Sequence, residues 1–363
     1  MLALFGACPA AQAKVPDSGC AAVSVQWGLA QVGIHSRGMS LLFFRRVADG
    51  APVVRARLSL NEDEWGCDSA FSSDGALLAI VTWTAAQAEH VRIWNFAASG
   101  WVAAPDQAAA KGHERRFLGF WKDTHDLVFS DTNTDANAVR MTVFTESLDE
   151  KLAGKAQELP GGRVDSRNGA FWEPSSAGCR WRRRSILGSD DDGDSLILPS
   201  IQGACPTNGI VFLDGAAVAG AGRAGSGVVT VWVSRIGTVG PEVALIPAPR
   251  KPRLAKWVDV DARVTSAPQG RVIAVDRQIT DWSPVDTIQA QRDDIWIYSI
   301  SPLKVLAHIS PRGCGRLYTF ALSDAGGNIQ LAADWCGKWE VEAIGSGDQS
   351  TSGKLRPSSP RSR

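Results

Sequence analysis

The chain has 363 residues, of which 44% are hydrophobic and 21% are charged, as is usual for a globular protein with a substantial core. Lysine plus arginine and aspartate plus glutamate number 38 each, so the formal net charge is zero. This balance disfavours binding to nucleic acid or to an anionic membrane through bulk charge. No apolar run in the sequence reaches the roughly 18 to 20 residues that a transmembrane helix needs.

The first 13 residues predict an export signal. A short apolar stretch ends in Ala11-Gln12-Ala13, the small-x-small pattern of a signal-peptidase site, and the charged Lys14 follows. Because the basic n-region is missing, we interpret residues 1–13 as a truncated signal peptide. In a second interpretation they are a lipoprotein leader that carries a lipid anchor on Cys8. An ordinary cytosolic N-terminus is the third.

The cysteines favour an oxidising compartment. Removal or acylation of Cys8 leaves an even number, namely Cys20, Cys67, Cys179, Cys205, Cys314 and Cys336. They contain no Cys-x-x-Cys pair, so disulfides are favoured over zinc and the predicted location is periplasmic or extracellular. We expect Cys179 to pair with Cys205 and Cys314 with Cys336, each joining neighbouring strands of one sheet. Six buried free thiols are the alternative.

Strand-like segments follow one another from the start of the chain. Residues 23–60 contain VSVQWG, MSLLFFRRV and PVVRARLSL, separated by turn signals such as Asp49-Gly50. Residues 71–96 then combine the turn Ser73-Asp74-Gly75, the apolar run LLAIVTW and the alternating VRIWNF. The same order recurs over residues 117–159 and again near the C-terminus. Residues 147–159 are the one segment that predicts a short helix, and Gly154 weakens that prediction.

The sequence FSSDGALLAIVT with VRIWNF resembles the repeats of WD-repeat and TolB-like β-propellers, and the later units resemble them more loosely. The resemblance implies a closed ring of four-stranded sheets and a habit of binding other proteins. We therefore expect an all-β propeller of six or seven four-stranded blades, seven being favoured, in a single domain over residues 14–344. Residues 345–363, rich in Ser, Gly, Pro and Arg, predict a disordered tail.

An acidic segment matches the Asp-box hairpin of sialidase-like propellers, in which side chains bond to the turn backbone. The matching residues are Ser189, Asp191, Gly193 and Ser195, with Leu196 in place of the usual aromatic. A structural turn is the first interpretation and a solvated acidic loop the second. A calcium site is the third, with ligands from Asp190, Asp192 and Asp194.

Two further motifs are interpreted as structural. Residues 220–225, GAGRAG, match a dinucleotide-binding fingerprint, but the β-branched SGVVTVWVSR follows where a helix is required. We interpret them as a Gly/Ala-rich loop between strands and expect no cofactor. Arg180, Arg182, Arg183 and Arg184 surround Trp181 and predict a solvated edge strand.

The sequence favours binding over catalysis. It contains no Gly-x-Ser-x-Gly elbow, Walker loop or His-Glu-x-x-His motif, and its five histidines are scattered. We expect a monomeric, non-catalytic module for a protein or cell-envelope ligand, without nucleic-acid partners. The candidate binding-loop residues are Ser73, Asp74, Lys122, Asp123, Asp281 and Trp282. The alternative is a propeller enzyme, a hydrolase or lyase acting on glycan or peptide at the central opening.

Overall fold

The computed structural model describes residues 19–24, 28–35, 38–44, 52–58, 64–84, 89–102, 113–121, 124–133, 141–146, 153–159, 162–166, 168–175, 179–185, 194–206, 209–213, 216–224, 227–324 and 328–345. Within these ranges the chain is all-β, with strands β1 to β27 and no α-helix. The described part of the chain therefore contains no helix that could span a membrane. The predicted leader and the predicted tail beyond residue 345 lie outside it.

The first three sheets each contain four strands. The first sheet consists of β1 (Gly19–Ser24), β2 (Gly28–His35), β3 (Gly38–Phe44) and β4 (Pro52–Leu58). The second consists of β5 (Glu64–Phe71), β6 (Leu77–Thr84), β7 (Glu89–Asn95) and β8 (Gly100–Val102). The third consists of β9 (His113–Phe120), β10 (Leu127–Asn133), β11 (Met141–Glu146) and β12 (Ala153–Leu159).

Three further four-stranded sheets and a three-stranded sheet follow. The fourth sheet consists of β13 (Arg163–Asp165), β14 (Ala170–Pro174), β15 (Arg180–Ser185) and β16 (Ser195–Ile197). The fifth consists of β17 (Ile210–Phe212), β18 (Ala217–Arg223), β19 (Val229–Arg235) and β20 (Glu242–Ile246). The sixth consists of β21 (Trp257–Ser266), β22 (Val272–Trp282), β23 (Ile288–Ile300) and β24 (Leu303–Ile309). The seventh consists of β25 (Leu317–Ser323), β26 (Ile329–Trp335) and β27 (Lys338–Ile344).

The sheets are arranged as in a β-propeller. Each is an antiparallel meander in chain order, and the first strands of several neighbouring sheets contact one another, as β5 and β9 or β17 and β21 do. β1 contacts both β5 of the second sheet and β25 of the seventh, so the last sheet lies beside the first. Antiparallel sheets stacked in this way bury apolar side chains on both faces. The expected all-β propeller of four-stranded sheets is therefore confirmed.

Apolar clusters fill the space between neighbouring sheets. Between the fifth and sixth sheets, Val231 and Ile273 pack with Tyr298, whose side chain is fully buried. Between the sixth and seventh sheets, Ile295 packs with Leu331. Burial on both faces explains why the predicted strand of residues 77–84 is a continuous apolar run without alternation.

Two local predictions were wrong. The segment predicted as a short helix ends in strand β12, which pairs with β11 because tertiary pairing overrides a weak local preference. The arginine-rich segment is strand β15, which lies between β14 and β16 and is not an edge strand. Its Trp181 is buried, whereas Arg180 and Arg182 point to the surface.

Most of the GAGRAG motif lies in strand β18, not in the loop that we expected. A Cβ atom on Gly220 would lie 2.3 Å from Cζ2 of Trp232, so the glycine allows close packing of the buried indole. Trp232 belongs to β19, the neighbouring strand of the same sheet. The glycine spacing is therefore explained by packing between strands.

All six cysteines of the predicted set form disulfides, and both predicted pairs are present. Cys314 and Cys336 join the start of β25 to the end of β26, with Cα atoms 5.9 Å apart. The third disulfide joins Cys20 to Cys67 across 47 residues. Because it links β1 to β5, it connects two sheets and not two strands of one sheet. Three disulfides are typical of proteins from oxidising compartments.

Strand direction defines two faces of the ring. In an antiparallel meander, the turns from first to second and from third to fourth strand lie at one end, which we call the first face. The turns from second to third strand and the connections between sheets lie at the other end, which we call the second face. Residues 72–76 are on the first face. The β22–β23 turn and the connection between β20 and β21 are on the second face.

Candidate functional site

The sixth sheet extends beyond its neighbours on the second face. β22 has 11 residues, whereas the corresponding strands β18 and β26 have 7 each. On the first face, the fifth, sixth and seventh sheets end at the same level. The β21–β22 turn at Gly270 lies against Leu213 of the fifth sheet. In the seventh sheet, Asp324 accepts hydrogen bonds from the Gln269 and Arg271 amides of the same turn. The four additional residues of β22 therefore project about 13 Å on the second face, at ~3.3 Å per residue.

The end of this projection is apolar and exposed. Leu254, Val285 and Ile288 retain 77%, 78% and 52% of their accessible surface. Trp257 opens β21 and stacks on Trp282 at the end of β22, with ring centroids 5.8 Å apart. We call residues 250–257 and 282–288 the sheet-six surface. Exposed apolar groups that cluster in this way are typical of interaction sites.

Cations surround these apolar groups. The connection PAPRKPRLAKW, residues 247–257, carries Arg250, Lys251, Arg253 and Lys256, all exposed, and no acidic residue. The ammonium group of Lys256 lies 4.9 Å from the ring centroid of Trp257 and 3.2 Å from Oδ1 of Asp286. The sheet-six surface is therefore locally basic although the whole chain is neutral.

A buried network holds the start of this connection in place. Arg277 donates from Nη1 to the carbonyl oxygen of Pro247 at 2.5 Å, and from Nε and Nη2 to the Asp294 carboxylate at 3.0 and 2.6 Å. Asp294 also accepts a hydrogen bond from the indole of Trp296, and its Oδ2 lies 3.0 Å from Nε2 of His308. The Trp296 and His308 rings stack with centroids 4.1 Å apart. The bidentate pair fixes Arg277 and hence the direction in which the connection leaves the sheet.

The far end of the connection is held by backbone and side-chain hydrogen bonds. The amide of Lys256 donates to the carbonyl oxygen of Trp282 at 2.8 Å. The hairpin closes with the Ser283 amide donating to the Thr287 carbonyl oxygen, and their hydroxyl oxygens lie 2.7 Å apart. The exposed residues therefore sit on a preorganised support, which lowers the entropic cost of binding.

A groove lies beside this surface between the fifth and sixth sheets. It has a volume of about 310 Å³ and is lined mainly by small residues, including Gly209, Ala221 and Gly222. Its charged residues are Arg223, which forms an ion pair with Asp259, and Asp261. No group of three or more His, Cys, Asp or Glu side chains positioned to hold a metal ion occurs in the described residues.

The predicted binding loops do not share one face. Ser73 and Asp74 are exposed on the first face, and the turn that contains His125 lies beside them, with Asp74 Oδ2 2.9 Å from His125 Nε2. Partial burial opposes ionisation of Asp74, but hydrogen bonds from the Ser72 hydroxyl and the Ala76 amide, together with His125, outweigh it and lower the pKa of Asp74 to about 2. Lys122 and Asp123, the predicted binding residues near His125, lie outside the described residues.

The third predicted loop lies on the second face, and one of its residues was placed wrongly. Asp281 belongs to strand β22, is buried, and pairs with Arg292 on β23. It therefore holds the hairpin together and offers no exposed carboxylate. Trp282 is half-buried against Trp257, so it supports the exposed apolar groups.

The acidic segment is described only at its end. Ser189, Asp190, Asp191, Asp192 and Gly193 lie outside the described residues. Asp194 Oδ2 lies 3.8 Å from Nη1 of Arg183, and its carbonyl oxygen accepts a hydrogen bond from the Arg183 amide. Ser195 opens strand β16. The choice between a structural turn, an acidic loop and a calcium site stays a prediction.

Sequence reasoning missed the basic connection that completes the surface. The signal was present, because four cations within residues 250–256 occur with prolines and without an acidic residue. The formal net charge of the whole chain, which is zero, does not reveal this local excess of cations. The exposure of Leu254 and Ile288, by contrast, follows from the length of the sixth sheet and is not visible in their local sequence.

The fold and this surface define a β-propeller protein with an exposed apolar and basic region. Among solved structures, a chain of the mitotic checkpoint complex is similar, with 14% identity and a TM-score of 0.45 over 92% of this chain and 95% of its own. A chain of the outer coat vertex of COPII on membranes has 10% identity and a TM-score of 0.46 over 94% of this chain and 86% of its own. Oligogalacturonate lyase in complex with manganese has 11% identity and a TM-score of 0.44 over 86% of this chain and 84% of its own. These likenesses concern the fold alone. No family model matches the sequence, and no curated protein matches it.

Proposed function

We propose that this chain is an exported, non-catalytic binding module whose sheet-six surface contacts a protein or cell-envelope ligand. The observation that carries the proposal is the exposure of Leu254, Val285 and Ile288 together at a projecting, preorganised end of one sheet. Burying such side chains in a partner releases roughly 25 cal/mol per Å² of apolar surface.

The proposal includes the finer features predicted from the sequence. Each of the seven sheets is one blade, and the monomer is exported either after removal of residues 1–13 or with an anchor on Cys8. Three disulfides support the export. The TolB-like character and the Asp-box hairpin belong to the same proposal, and a structure of residues 186–193 tests the hairpin.

Site-specific photo-crosslinking tests the proposed contact surface. A benzophenone amino acid placed at Val285 should crosslink to the ligand in the native envelope. The matched control is Val239, which is 98% exposed in the β19–β20 turn on the first face. Equal labelling from both positions, or labelling from Val239 alone, would contradict the proposal.

An activity screen separates this proposal from the enzyme alternative. Purified chain should leave a panel of glycans and peptides unchanged. Turnover that survives charge reversal at Arg250 and Lys251 but disappears on mutation of groove residues such as Asp261 would favour a propeller enzyme.

A further inference from the structure

Positive charge is concentrated on the sheet-six surface, although the formal net charge of the whole chain is zero. Within the described residues, Arg250, Lys251 and Arg253 form no ion pair, and the fourth cation, Lys256, is shared with Asp286. The nearby Asp281 is buried and paired with Arg292. The exposed part of the sheet-six surface therefore presents a net positive charge to its ligand.

The apolar groups lie at the outermost points of the same surface. Val285 is in the β22–β23 turn, Ile288 follows it, and Leu254 is in the adjacent connection. None of them lines the groove between the fifth and sixth sheets. Apolar groups at such outermost points can be buried by insertion into the boundary between the headgroups and acyl chains of a bilayer.

A projecting apolar tip, tryptophans behind it and cations around it together match the layered chemistry of a lipid interface. Apolar side chains enter the acyl boundary, tryptophan indoles favour the headgroup level, and Lys and Arg attract anionic headgroups. On the sheet-six surface the corresponding groups are Val285, Trp257 and Arg253. All three belong to one preorganised unit.

We propose that the sheet-six surface docks this protein peripherally on an anionic lipid bilayer, with Leu254, Val285 and Ile288 inserted and Arg250, Lys251 and Arg253 at the headgroups. This inference rests on the proposed binding function and specifies its ligand. It requires no helix that spans the bilayer. Docking is reversible and weakens at high salt, because exposed charges are screened.

Vesicle sedimentation tests the inference. The full chain should bind vesicles of equal parts phosphatidylcholine and phosphatidylglycerol, and bind vesicles of phosphatidylcholine alone much more weakly. Each cation near an anionic bilayer contributes roughly fivefold to the partition constant. The triple variant Arg250→Glu, Lys251→Glu and Arg253→Glu should therefore bind the anionic vesicles about 100-fold more weakly or worse.

Two further variants complete the design. Polar replacement of the tip, by Leu254→Ser, Val285→Ser and Ile288→Ser, should also weaken binding to the anionic vesicles, because the inserted apolar side chains are lost. The control Arg180→Glu with Arg182→Glu reverses two exposed arginines of the fourth sheet and should bind like the unmodified chain. The substituted side chains are exposed, and near-UV circular dichroism with the melting temperature verifies that every variant is folded.

The outcomes distinguish the inference from the function on which it rests. Equal binding to both kinds of vesicle, or equal losses in the control and the triple variant, would overturn lipid docking. Absence of vesicle binding together with crosslinking of a protein from Val285 would overturn lipid docking and retain the binding module. Absence of vesicle binding and of any crosslink from Val285 would overturn both.

Discussion

The indole of Trp257, where β21 begins, stacks on the indole of Trp282, where β22 ends, at an angle of 26° between the ring planes. The two residues are also direct partners in the antiparallel register of these strands. The pair therefore joins the basic connection that precedes β21 to the apolar hairpin that follows β22. This stack acts together with the hydrogen bond from the Lys256 amide to the Trp282 carbonyl oxygen.

Replacing Trp257 with alanine should loosen the hairpin without unfolding the protein. A stacked aromatic pair contributes about 0.5 to 1.5 kcal/mol beyond its buried area, and Trp257 is 38% exposed at the end of its sheet. Amide hydrogen exchange over residues 283–288 should accelerate while the melting temperature changes little. Val239→Ala is the control and should alter neither quantity. Unchanged exchange in the Trp257 variant would contradict the assigned role.

Gly220→Ala should destabilise the whole protein. The added Cβ would meet the Trp232 ring at 2.3 Å, and the Trp232 side chain is fully buried. Overpacking of this kind costs about 1 to 3 kcal/mol in the free energy of unfolding, measured by urea denaturation. Gly240→Ala is the matched control, because a Cβ atom added there would have nothing within 4 Å. Equal stability of the two variants would refute the packing explanation of the GAGRAG motif.

The parts of the fold that could be predicted from sequence are those with local causes. The turn at residues 72–76 is one example: Asp74 accepts hydrogen bonds from the Ser72 hydroxyl and the Ala76 amide, so the Ser-x-Asp-Gly pattern encodes its own turn. Disulfide pairing was predictable for the two pairs that are close in sequence. β12 was missed because AGKAQEL has little β preference of its own and is a strand only beside β11.

The candidate site was only partly predictable because it depends on relations between strands. Asp281 looks like a loop carboxylate in the sequence, but Arg292, its partner, lies on the next strand and draws it into the sheet. Whether a turn lies on the first or the second face depends on its place in the four-strand order. The predicted loops were therefore correct as turns near residues 73 and 283, yet they lie on opposite faces.

The disulfides should be present in the exported protein and should stabilise it. Non-reducing intact mass should fall short of the reduced mass by the six hydrogens of three disulfides. Cys20→Ser with Cys67→Ser should lower the free energy of unfolding by about 2 to 4 kcal/mol, since it releases the link between the first two sheets. Seven free thiols on a chain that begins at Met1, and so retains Cys8, would contradict both export and this contribution.

A fully buried carboxyl group between strands makes stability depend on pH. Asp276 on β22 accepts hydrogen bonds from Nε and Nη2 of Arg263 at 3.0 and 2.6 Å, both through Oδ2, while its Oδ1 has no hydrogen-bond partner among the described residues. Burial, together with the charges of Asp293 and Asp294, raises the pKa of Asp276 from 3.8 to about 6, against the opposing effect of Arg263. The folded protein therefore holds this proton more tightly than the unfolded chain.

Between pH 3.8 and about 6, the free energy of unfolding should consequently fall as pH rises, because the folded state binds more protons there. Over this pH range the free energy of unfolding should fall by about 3 kcal/mol in total. Asp276→Asn carries no titrating group, so its stability relative to the unmodified chain should increase by this amount from about pH 4 to pH 7. Arg263→Gln removes the opposing cation and should move the window to higher pH. Urea denaturation across the pH range measures both effects, and a stability difference that does not change with pH would rule out Asp276 as the titrating group.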